Sequence, residues 1–280
     1  MSSTLRRRAV ALGDLLVGHG PGVVISDRVS LRAGPRDAPP EGAVLEGAVL
    51  AEPATAADLP AVAEHARAVV VGASWTRDIP LVRAAAGLGL PVVVERRPAA
   101  GMEEWLGLAD YCALQGDGQV ILCEGGRPDL GLMRAARAAS GRPVLADVSA
   151  DPGLSAAAVA AGADGLIVSP ADRRVAEEAV TVVGALLRDE APATLPECRQ
   201  AIDRVDAALA TLLERRAALA GRVQEIKPVG GFAGRDLGRE RDLVARMAVR
   251  APSLGPARLA PIMNAVIEAG LHLAEERTTH

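Results

Sequence analysis

Cysteine is scarce in this sequence of 280 residues, which contains only Cys112, Cys123 and Cys198. Because three is an odd number and no pair has the C-x-x-C spacing, the sequence predicts neither a disulfide framework nor a thiolate zinc site. We interpret the three side chains as reduced, mostly packed thiols. The four histidines are scattered without the spacing of a metal cluster. No metal site is therefore predicted.

Long apolar runs and an excess of basic residues are also lacking. No stretch approaches the roughly 18 consecutive apolar residues of a membrane-spanning helix. The N-terminus does not show the basic region, apolar core and cleavage site of a signal peptide in that order. The formal net charge of -4 argues against a nucleic-acid-binding surface, which usually appears as a basic face. We expect a soluble, cytoplasmic protein that binds neither nucleic acid nor membrane.

Lysine is nearly absent, since Lys227 is the only one although Lys and Arg together number 31. A single lysine near the end of an amphipathic helix often does no more than favour the C-terminal helix dipole and extend into water. The alternative is that this position needs an ammonium group for which a guanidinium cannot substitute. Its neighbours decide between these interpretations.

Half of the residues are apolar, and between residues 43 and 188 they form short β-rich runs that alternate with alanine-rich helical stretches. This alternation is typical of βα units around a parallel sheet. The six predicted strands lie at residues 43–52, 68–74, 91–97, 119–126, 143–149 and 164–170. Residues 22–34 can add one or two more strands before the first helix. The pattern predicts an abridged TIM-like (β/α) barrel.

The stretch DEAPATLP at residues 189–196 is typical of a linker, and the β-rich runs stop after it. Residues 197–227 contain one glycine and no proline, which predicts a helix about 45 Å long. Its apolar positions follow the 3-4 spacing of one buried stripe: Ile202, Val205, Leu209, Leu212, Leu219, Val223 and Ile226. A helix of this length needs a partner. We predict an α/β barrel domain at residues 1–190 and an all-α domain at 191–280.

Cations interrupt this apolar stripe. Arg216 occupies one position on it, and Arg199 lies one step before its first member. Such cations are costly on an apolar seam unless an anion meets them. Lys227 follows Arg216 by about three turns and shares its face. From this helix alone, a buried ion pair with a neighbouring helix explains Arg216 equally well.

More charged residues follow the long helix. Asp236, Arg239 and Glu240 lie at the start of a second predicted helix, residues 236–249, and a third is predicted at 256–277. The small helical domain thus brings three cations and two acids toward one region. Cations in a closed pocket indicate a small polyanion as the ligand, most simply a dicarboxylate.

Residues 196–276 resemble the all-helical class of chorismate mutase. The matching stretches are CRQAIDRVDAALATLLERRAALAGRVQEIK and GRDLGRERDLVARM, in which six charged positions agree in spacing without a gap. The resemblance implies a three-helix domain that forms an intertwined homodimer. It also implies the rearrangement of chorismate to prephenate in Phe and Tyr biosynthesis, in the shikimate pathway. This reaction needs no nucleophile, metal or redox cofactor.

The resemblance also implies a role for each of the six residues. Arg216 would hold one substrate carboxylate together with Arg199 of the partner subunit. The two arginines lie about 25 Å apart along one helix, too far to bind the same small molecule. Lys227 would face the ether oxygen, which gains negative charge as the C–O bond breaks.

The start of the second helix would supply the remaining contacts. By the same resemblance, Arg239 would assist with a carboxylate. Glu240 would accept a hydrogen bond from the ring hydroxyl, with Asp236 beside it.

One part of the mutase pattern is missing. The last helix of the family usually supplies a Ser and, four residues later, a Gln that shares the ether oxygen with the lysine. Here these positions are Gly270 and Ala274. Losing such a donor costs roughly 3 kcal/mol if nothing replaces it. Glu275 or Glu276 could substitute only if protonated, so we expect weaker activity or a donor from elsewhere.

Residues 20–190 resemble the 3-deoxy-D-arabino-heptulosonate 7-phosphate (DAHP) synthase family. The matching stretches are LPVVVERRPAAGMEEWLGLADYCALQGDGQVILCEGG and RPVLADVSADPGLSAAAVAAGADGLIVSP. The metal-binding Cys and His are missing, and of the family's two opening motifs only RAGPRDAPP, at residues 32–40, remains. The family's lysine is replaced by Glu95 and Arg96, its Arg by Gly125, while Asp147 is kept. We therefore expect no synthase activity and interpret the barrel as a vestigial scaffold.

Three hypotheses follow for the whole chain. The first is a dimeric chorismate mutase on a degenerate barrel, which the six charged residues favour. The second is a regulatory or scaffold protein whose helical domain binds chorismate or prephenate and whose barrel docks onto a DAHP synthase. Gly270 and Ala274 favour this second hypothesis. The third, an active synthase, is disfavoured by the missing lysine and metal ligands.

Overall fold

The computed structural model describes residues 8–32, 45–187, 192, 194–227 and 231–278. The chain divides into two compact units, Met1–Val205 and Asp206–His280, which we call the barrel unit and the helical unit. The linker predicted at residues 189–196 lies partly outside the described residues, and the boundary predicted at residue 190 stays a prediction.

The barrel unit contains one parallel sheet of eight strands in the order β3-β10-β9-β8-β7-β6-β5-β4. These strands are β3 (Val23–Ile25), β4 (Arg28–Ser30), β5 (Leu50–Glu52), β6 (Ala68–Val71), β7 (Val92–Glu95), β8 (Val120–Glu124), β9 (Val144–Asp147) and β10 (Gly165–Ile167). All six strands predicted between residues 43 and 170 are present, and residues 22–34 supply the other two. The predicted abridged (β/α) barrel is therefore confirmed.

The barrel is abridged at its first strand. Only Ser26 and Asp27 separate β3 from β4, and these two strands stand at opposite ends of the strand order. β3 pairs with β10, with Val23 opposite Gly165, and β4 pairs with β5, with Ser30 opposite Glu52. The two short strands thus bring the two ends of the sheet together, and no helix lies between them.

In the described residues of the barrel unit, six α-helices surround the sheet: α1 (Leu59–His65), α2 (Ile79–Ala86), α3 (Met102–Gln115), α4 (Leu130–Ser140), α5 (Ser155–Ala160) and α6 (Arg173–Leu187). They cover the outer face of the sheet and bury it in one apolar cluster. A second cluster fills the inside of the barrel, where Ile121, Leu145 and Ile167 are almost fully buried. A hairpin of β1 (Val10–Leu12) and β2 (Leu15–Val17), which we did not predict, contributes to this inner cluster.

Gly165 shows how closely the inner side chains pack. A Cβ at this position would lie 2.5 Å from Cγ2 of Val23 and 2.7 Å from Cδ2 of Leu145. Contacts this close do not occur in packed interiors, so β10 needs a glycine here to pair with its two neighbours.

Three α-helices follow the barrel in the part of the chain that the structure describes: α7 (Leu195–Ile226), α8 (Leu237–Arg250) and α9 (Gly255–Thr278). They match the three helices predicted from the sequence. The apolar stripe on α7 is largely exposed in the single chain, with Leu212 47% and Leu219 63% accessible. The residues that the structure describes in this one chain leave the stripe uncovered, and its burial against a partner stays a prediction. No helix in the described ranges is long and apolar enough to cross a membrane.

Candidate active site

A cavity of about 310 Å³ lies in the helical unit, between α7, the segment after it, α8 and α9. This volume is typical of a small-molecule site. Its lining residues are Arg216, Leu219, Ala220, Val223, Gln224, Lys227, Gly231, Gly234, Arg235, Asp236, Arg239, Glu240, Leu243, Arg246, Ile267 and Leu271. Apolar side chains form part of the wall, and charged side chains form the rest.

Five of the six predicted site residues line this one cavity: Arg216, Lys227, Asp236, Arg239 and Glu240. The sixth, Arg199, lies near the start of α7 and is not among the described residues that line it. That a partner subunit supplies it stays a prediction.

Lys227 follows the last residue of α7 and faces the segment that leads to α8. Its Nζ donates a hydrogen bond to the backbone carbonyl of Gly234 at 2.9 Å. An ammonium has three N–H donors, so two remain for a ligand. One turn earlier, Oε1 of Gln224 accepts a hydrogen bond from the backbone N–H of Gly231 at 2.8 Å. These two side chains therefore hold both ends of the segment 231–234 against the cavity.

Backbone conformation and ring packing also fix this segment. Gly231 has a φ of 61°, which favours glycine. Its Cβ, if present, would lie 2.8 Å from Oε1 of Glu275. The Phe232 ring packs against His272 of α9, with 5.0 Å between the ring centroids.

Asp236 is the N-cap of α8, because its side chain accepts a hydrogen bond from the backbone N–H of Arg239 at 3.0 Å. This bond is the main cause of the lowered pKa of Asp236, and the positive charges of Lys227 and Arg239 act in the same direction. The carboxylate is therefore ionised at neutral pH. It fixes the first turn of α8, on which Arg239 and Glu240 lie.

Glu240 is held by Arg235, a residue that the sequence analysis did not single out. The guanidinium donates to both carboxylate oxygens, at 3.0 and 2.7 Å, and reaches α9 through Glu268 at 3.2 Å and Asn264 at 2.7 Å. The hydrogen bond from Arg235 lowers the pKa of Glu240, and Glu240 in turn raises the pKa of Arg235. An ionised Glu240 can only accept hydrogen bonds, as its predicted contact with a hydroxyl requires.

Arg216 is half-buried, and its Nη1 donates a long hydrogen bond of 3.4 Å to the carbonyl of Val266 on α9. A Cβ on Gly270 would lie 3.9 Å from this Nη1 and 3.6 Å from Cβ of Ala220. Position 270 therefore faces the Arg216 side of the cavity without a polar side chain. Neither Glu275 nor Glu276, the two predicted substitutes for the missing donor, is among the described residues that line the cavity.

The cavity carries an excess of positive charge. Its lining includes five cations, Arg216, Lys227, Arg235, Arg239 and Arg246, and two acids, Asp236 and Glu240. The pair of Arg235 and Glu240 is internally neutral, and most of the other charge is positive. Such a site favours a compact anion with more than one negative charge.

The sequence analysis missed Gln224, Arg235 and Arg246 as cavity residues. Gln224 lies three residues before Lys227, a spacing that places both on one face of α7 and could have identified it. Arg235 and Arg246 lie within the matching stretch GRDLGRERDLVARM, but nothing in their spacing distinguishes them from surface arginines. Their positions depend on how α8 packs on α9.

The mouth of the barrel, at the carboxyl ends of its strands, contains a buried ion cluster. Arg28 contacts Glu95 at 2.5 Å, Asp147 at 2.8 Å and Glu52 at 3.1 Å. Burial lowers the pKa of Arg28, but the surrounding carboxylates, Glu95 foremost, outweigh it and raise the pKa. Burial also raises the pKa of Glu95, against the opposing effect of Arg28.

The other residues of interest at this end of the barrel also have protein partners. Glu124 accepts two hydrogen bonds of 2.5 Å from Arg96. Trp75 and Trp105 are buried, and they donate hydrogen bonds to Glu52 and to the backbone carbonyl of Val94. The segment RAGPRDAPP lies outside the described residues except for its first member. Within the described ranges, no group of three His, Cys, Asp or Glu side chains could hold a metal ion.

Comparison with known proteins identifies both parts of the chain. Residues 198–275 match the family described as Chorismate mutase type II. Over 128 residues, 40% of this chain, the sequence is 34% identical to the phospho-2-dehydro-3-deoxyheptonate aldolase of Thermotoga maritima. The chain spans 38% of that protein's length. The chain therefore joins a DAHP synthase-like barrel to a chorismate mutase type II domain.

Solved structures support the barrel assignment. The crystal structure of the DAHP synthase of Thermotoga maritima matches with a TM-score of 0.54 at 25% identity, covering 59% of this chain and 64% of that one. A truncated form of 3-deoxy-D-arabino-heptulosonate 7-phosphate synthase from Thermotoga maritima matches with a TM-score of 0.55 at 24% identity. That match covers 65% of this chain and 94% of the truncated one, and it concerns the fold.

Proposed function

We propose that this protein is a chorismate mutase, which rearranges chorismate to prephenate within the helical unit of a homodimer. The observation that carries the proposal is the convergence of Arg216, Lys227, Asp236, Arg239 and Glu240 on one cavity. Chorismate carries two carboxylates, an ether oxygen and a ring hydroxyl. The cations match the carboxylates, and the ionised Glu240 matches the hydroxyl.

The reaction is an intramolecular rearrangement, so the site acts by selecting a compact conformer and by stabilising the charge that develops. Arg216 and Arg239 hold carboxylates, with Arg199 of the partner subunit completing the first contact. The ammonium of Lys227, already oriented by Gly234, donates to the ether oxygen as the C–O bond breaks. A compact ammonium suits one oxygen atom, whereas a planar guanidinium is shaped for a pair.

The exposed stripe on α7 supports the homodimer. Ile202, Val205, Leu209 and Leu212 lie on one face of the helix and are exposed in the part of the chain that the structure describes. A second copy of α7 would bury this stripe and place its own Arg199 near the first copy's cavity. Contiguous apolar surfaces of this kind are typical of protein interfaces.

The barrel has lost the synthase activity under this proposal and persists as a scaffold. Arg28 fills the mouth with a guanidinium bound to three carboxylates, where a synthase needs an open site. We expect no DAHP formation by the purified chain, with or without added divalent metal.

A non-catalytic role is the second candidate, because Gly270 and Ala274 remove two polar side chains from α9. In that case the helical unit binds chorismate or prephenate and the barrel docks onto a DAHP synthase. One assay separates the two candidates. The purified full chain is incubated with chorismate, and the product is identified by NMR.

Saturable formation of prephenate by the wild type, lost in Arg216→Ala, supports the mutase. Chorismate binding without any turnover would favour the regulatory role.

A further inference from the structure

Gln224 occupies the same cavity as Lys227 and lies one turn before it on α7. A carboxamide has an acceptor oxygen and an amide nitrogen with two N–H donors. The backbone N–H of Gly231 donates to the carboxamide oxygen at 2.8 Å, and this contact assigns which terminal atom of the side chain is oxygen and which is nitrogen. The two N–H donors are therefore those of Nε2, which takes no part in the contact with Gly231.

α9, which lines the cavity through Ile267 and Leu271, has no side-chain donor at the two positions where the family has one. Gly270 has no side chain, and Ala274 has only a methyl group. Without a replacement, the ammonium of Lys227 alone would meet the negative charge on the ether oxygen. One of its three N–H groups is already bound to Gly234.

Gln224 is well placed to supply the second donor. Residues three apart on a helix share a face, so Gln224 and Lys227 approach the cavity from the same side. Each is bound to one end of the segment 231–234, which limits the movement of both side chains. Preorganised donors of this kind stabilise developing charge without reorganisation during the reaction.

We propose that Gln224 is a catalytic residue of the mutase site, where its amide N–H donates to the ether oxygen in place of the missing side chain at position 274. This inference rests on the proposed chorismate mutase activity. It assigns to α7 both donors that act on the breaking bond, whereas the resemblance places one of them on the last helix.

The alternative is that Gln224 only holds the segment 231–234 through Gly231. The Gln224→Glu variant distinguishes the two roles, because a carboxylate oxygen still accepts from Gly231 but has no N–H. If Gln224 is a donor, kcat at neutral pH falls about a hundredfold in both Gln224→Ala and Gln224→Glu. The Glu variant also regains activity as the pH is lowered, because a protonated carboxyl group can donate.

Steady-state kinetics on the full chain, with folding checked by circular dichroism, test this proposal. The matched control is Gln115→Ala, the same deletion at an exposed position at the end of α3, which keeps wild-type kcat. A double variant, Gln224→Ala with Ala274→Gln, is expected to have a kcat at least tenfold higher than that of Gln224→Ala, since it restores the family arrangement.

Wild-type kcat in Gln224→Glu at neutral pH would overturn the inference while leaving the mutase intact. A wild-type protein with no turnover would overturn the proposed function and this inference together.

Discussion

Arg235 binds both carboxylate oxygens of Glu240, at 3.0 and 2.7 Å, and thereby determines where this carboxylate lies in the cavity. The same guanidinium reaches Glu268 and Asn264 on α9. It therefore connects the first turn of α8 to α9 and orients the acceptor that we assign to the substrate hydroxyl. Arg235 acts through Glu240 and is a positioning residue under this account.

Replacing Arg235 with alanine is expected to lower kcat/KM for chorismate by tenfold to a hundredfold, since a misplaced catalytic contact commonly costs about this much. Arg235→Lys should recover only part of the loss, because an ammonium cannot bind both oxygens in parallel. Initial rates over a range of chorismate concentrations measure the effect. Arg241→Ala, which removes an exposed cation on α8, is the control, and an equal loss there would contradict a specific role for Arg235.

Acid is expected to destabilise the helical unit. The pKa of Asp236 and that of Glu240 are both lowered in the folded chain, by hydrogen bonds from the backbone of Arg239 and from Arg235. A lowered pKa means that the unfolded chain binds protons more readily than the folded chain. The stability that each carboxylate contributes is therefore present above the ordinary carboxyl pKa, and it is lost as the pH falls through the pKa of the folded chain. Urea unfolding between about pH 6 and pH 3 should show this loss.

The Glu240→Gln and Asp236→Asn variants should show a flatter dependence on pH in the same range. An unchanged pH profile in both variants would contradict the assignment of these two carboxylates.

The ion cluster at the barrel mouth makes Arg28 important for stability. Arg28→Ala leaves Glu52, Glu95 and Asp147 close together without their cation, and breaking a buried pair in this way costs about 3–5 kcal/mol. Denaturant unfolding of the full chain measures the loss, which should shrink at acidic pH because the carboxylates take up protons.

Arg173→Ala removes a half-exposed pair with Glu177 and is expected to cost less than about 1 kcal/mol. Equal losses in the free energy of unfolding for Arg28→Ala and Arg173→Ala would show that the ion cluster does not behave as a buried one.

The exposed stripe on α7 is expected to bury itself against a second chain. Leu212→Glu should halve the mass measured by light scattering and abolish mutase activity, because a charge on the seam prevents the pairing that brings in Arg199. Leu114→Glu makes the same substitution at an exposed leucine of α3, outside the stripe, and should leave both mass and activity unchanged.

Subunit mixing tests the sharing of the site directly. Arg199→Ala and Arg216→Ala are each expected to be inactive, whereas refolding an equal mixture should return about a quarter of wild-type activity, since half of the dimers then hold one intact site. No recovery on mixing would contradict a site built from two chains.

The secondary structure was largely predictable because its signals are local. Buried parallel strands such as β6 and β8 appear as short apolar runs, and the long α7 lacks helix breakers. The β1–β2 hairpin was missed because strands of three residues carry almost no periodicity. Periodicity identifies the α7 stripe, whereas the burial of that stripe depends on which chain covers the helix.

The site was predictable only where spacing along a helix determines position. Lys227 and Arg216 share a face of α7, and Asp236 begins α8, so the sequence places them together. The roles of Arg235 and Arg28 arise from contacts between distant segments. Arg28 meets Asp147 across 119 positions of the chain. No local pattern encodes such a contact.

The kinetics of Lys227 variants test the central claim most directly. Chorismate absorbance is followed with purified wild-type protein, Lys227→Ala and Lys227→Arg, all of equal fold by circular dichroism. We predict that kcat/KM falls at least a hundredfold in Lys227→Ala, a loss of about 3 kcal/mol. Lys227→Arg should remain severely impaired, because a planar guanidinium keeps the positive charge but cannot approach the single ether oxygen as a compact ammonium does. Wild-type turnover that is unchanged in Lys227→Ala would contradict the account.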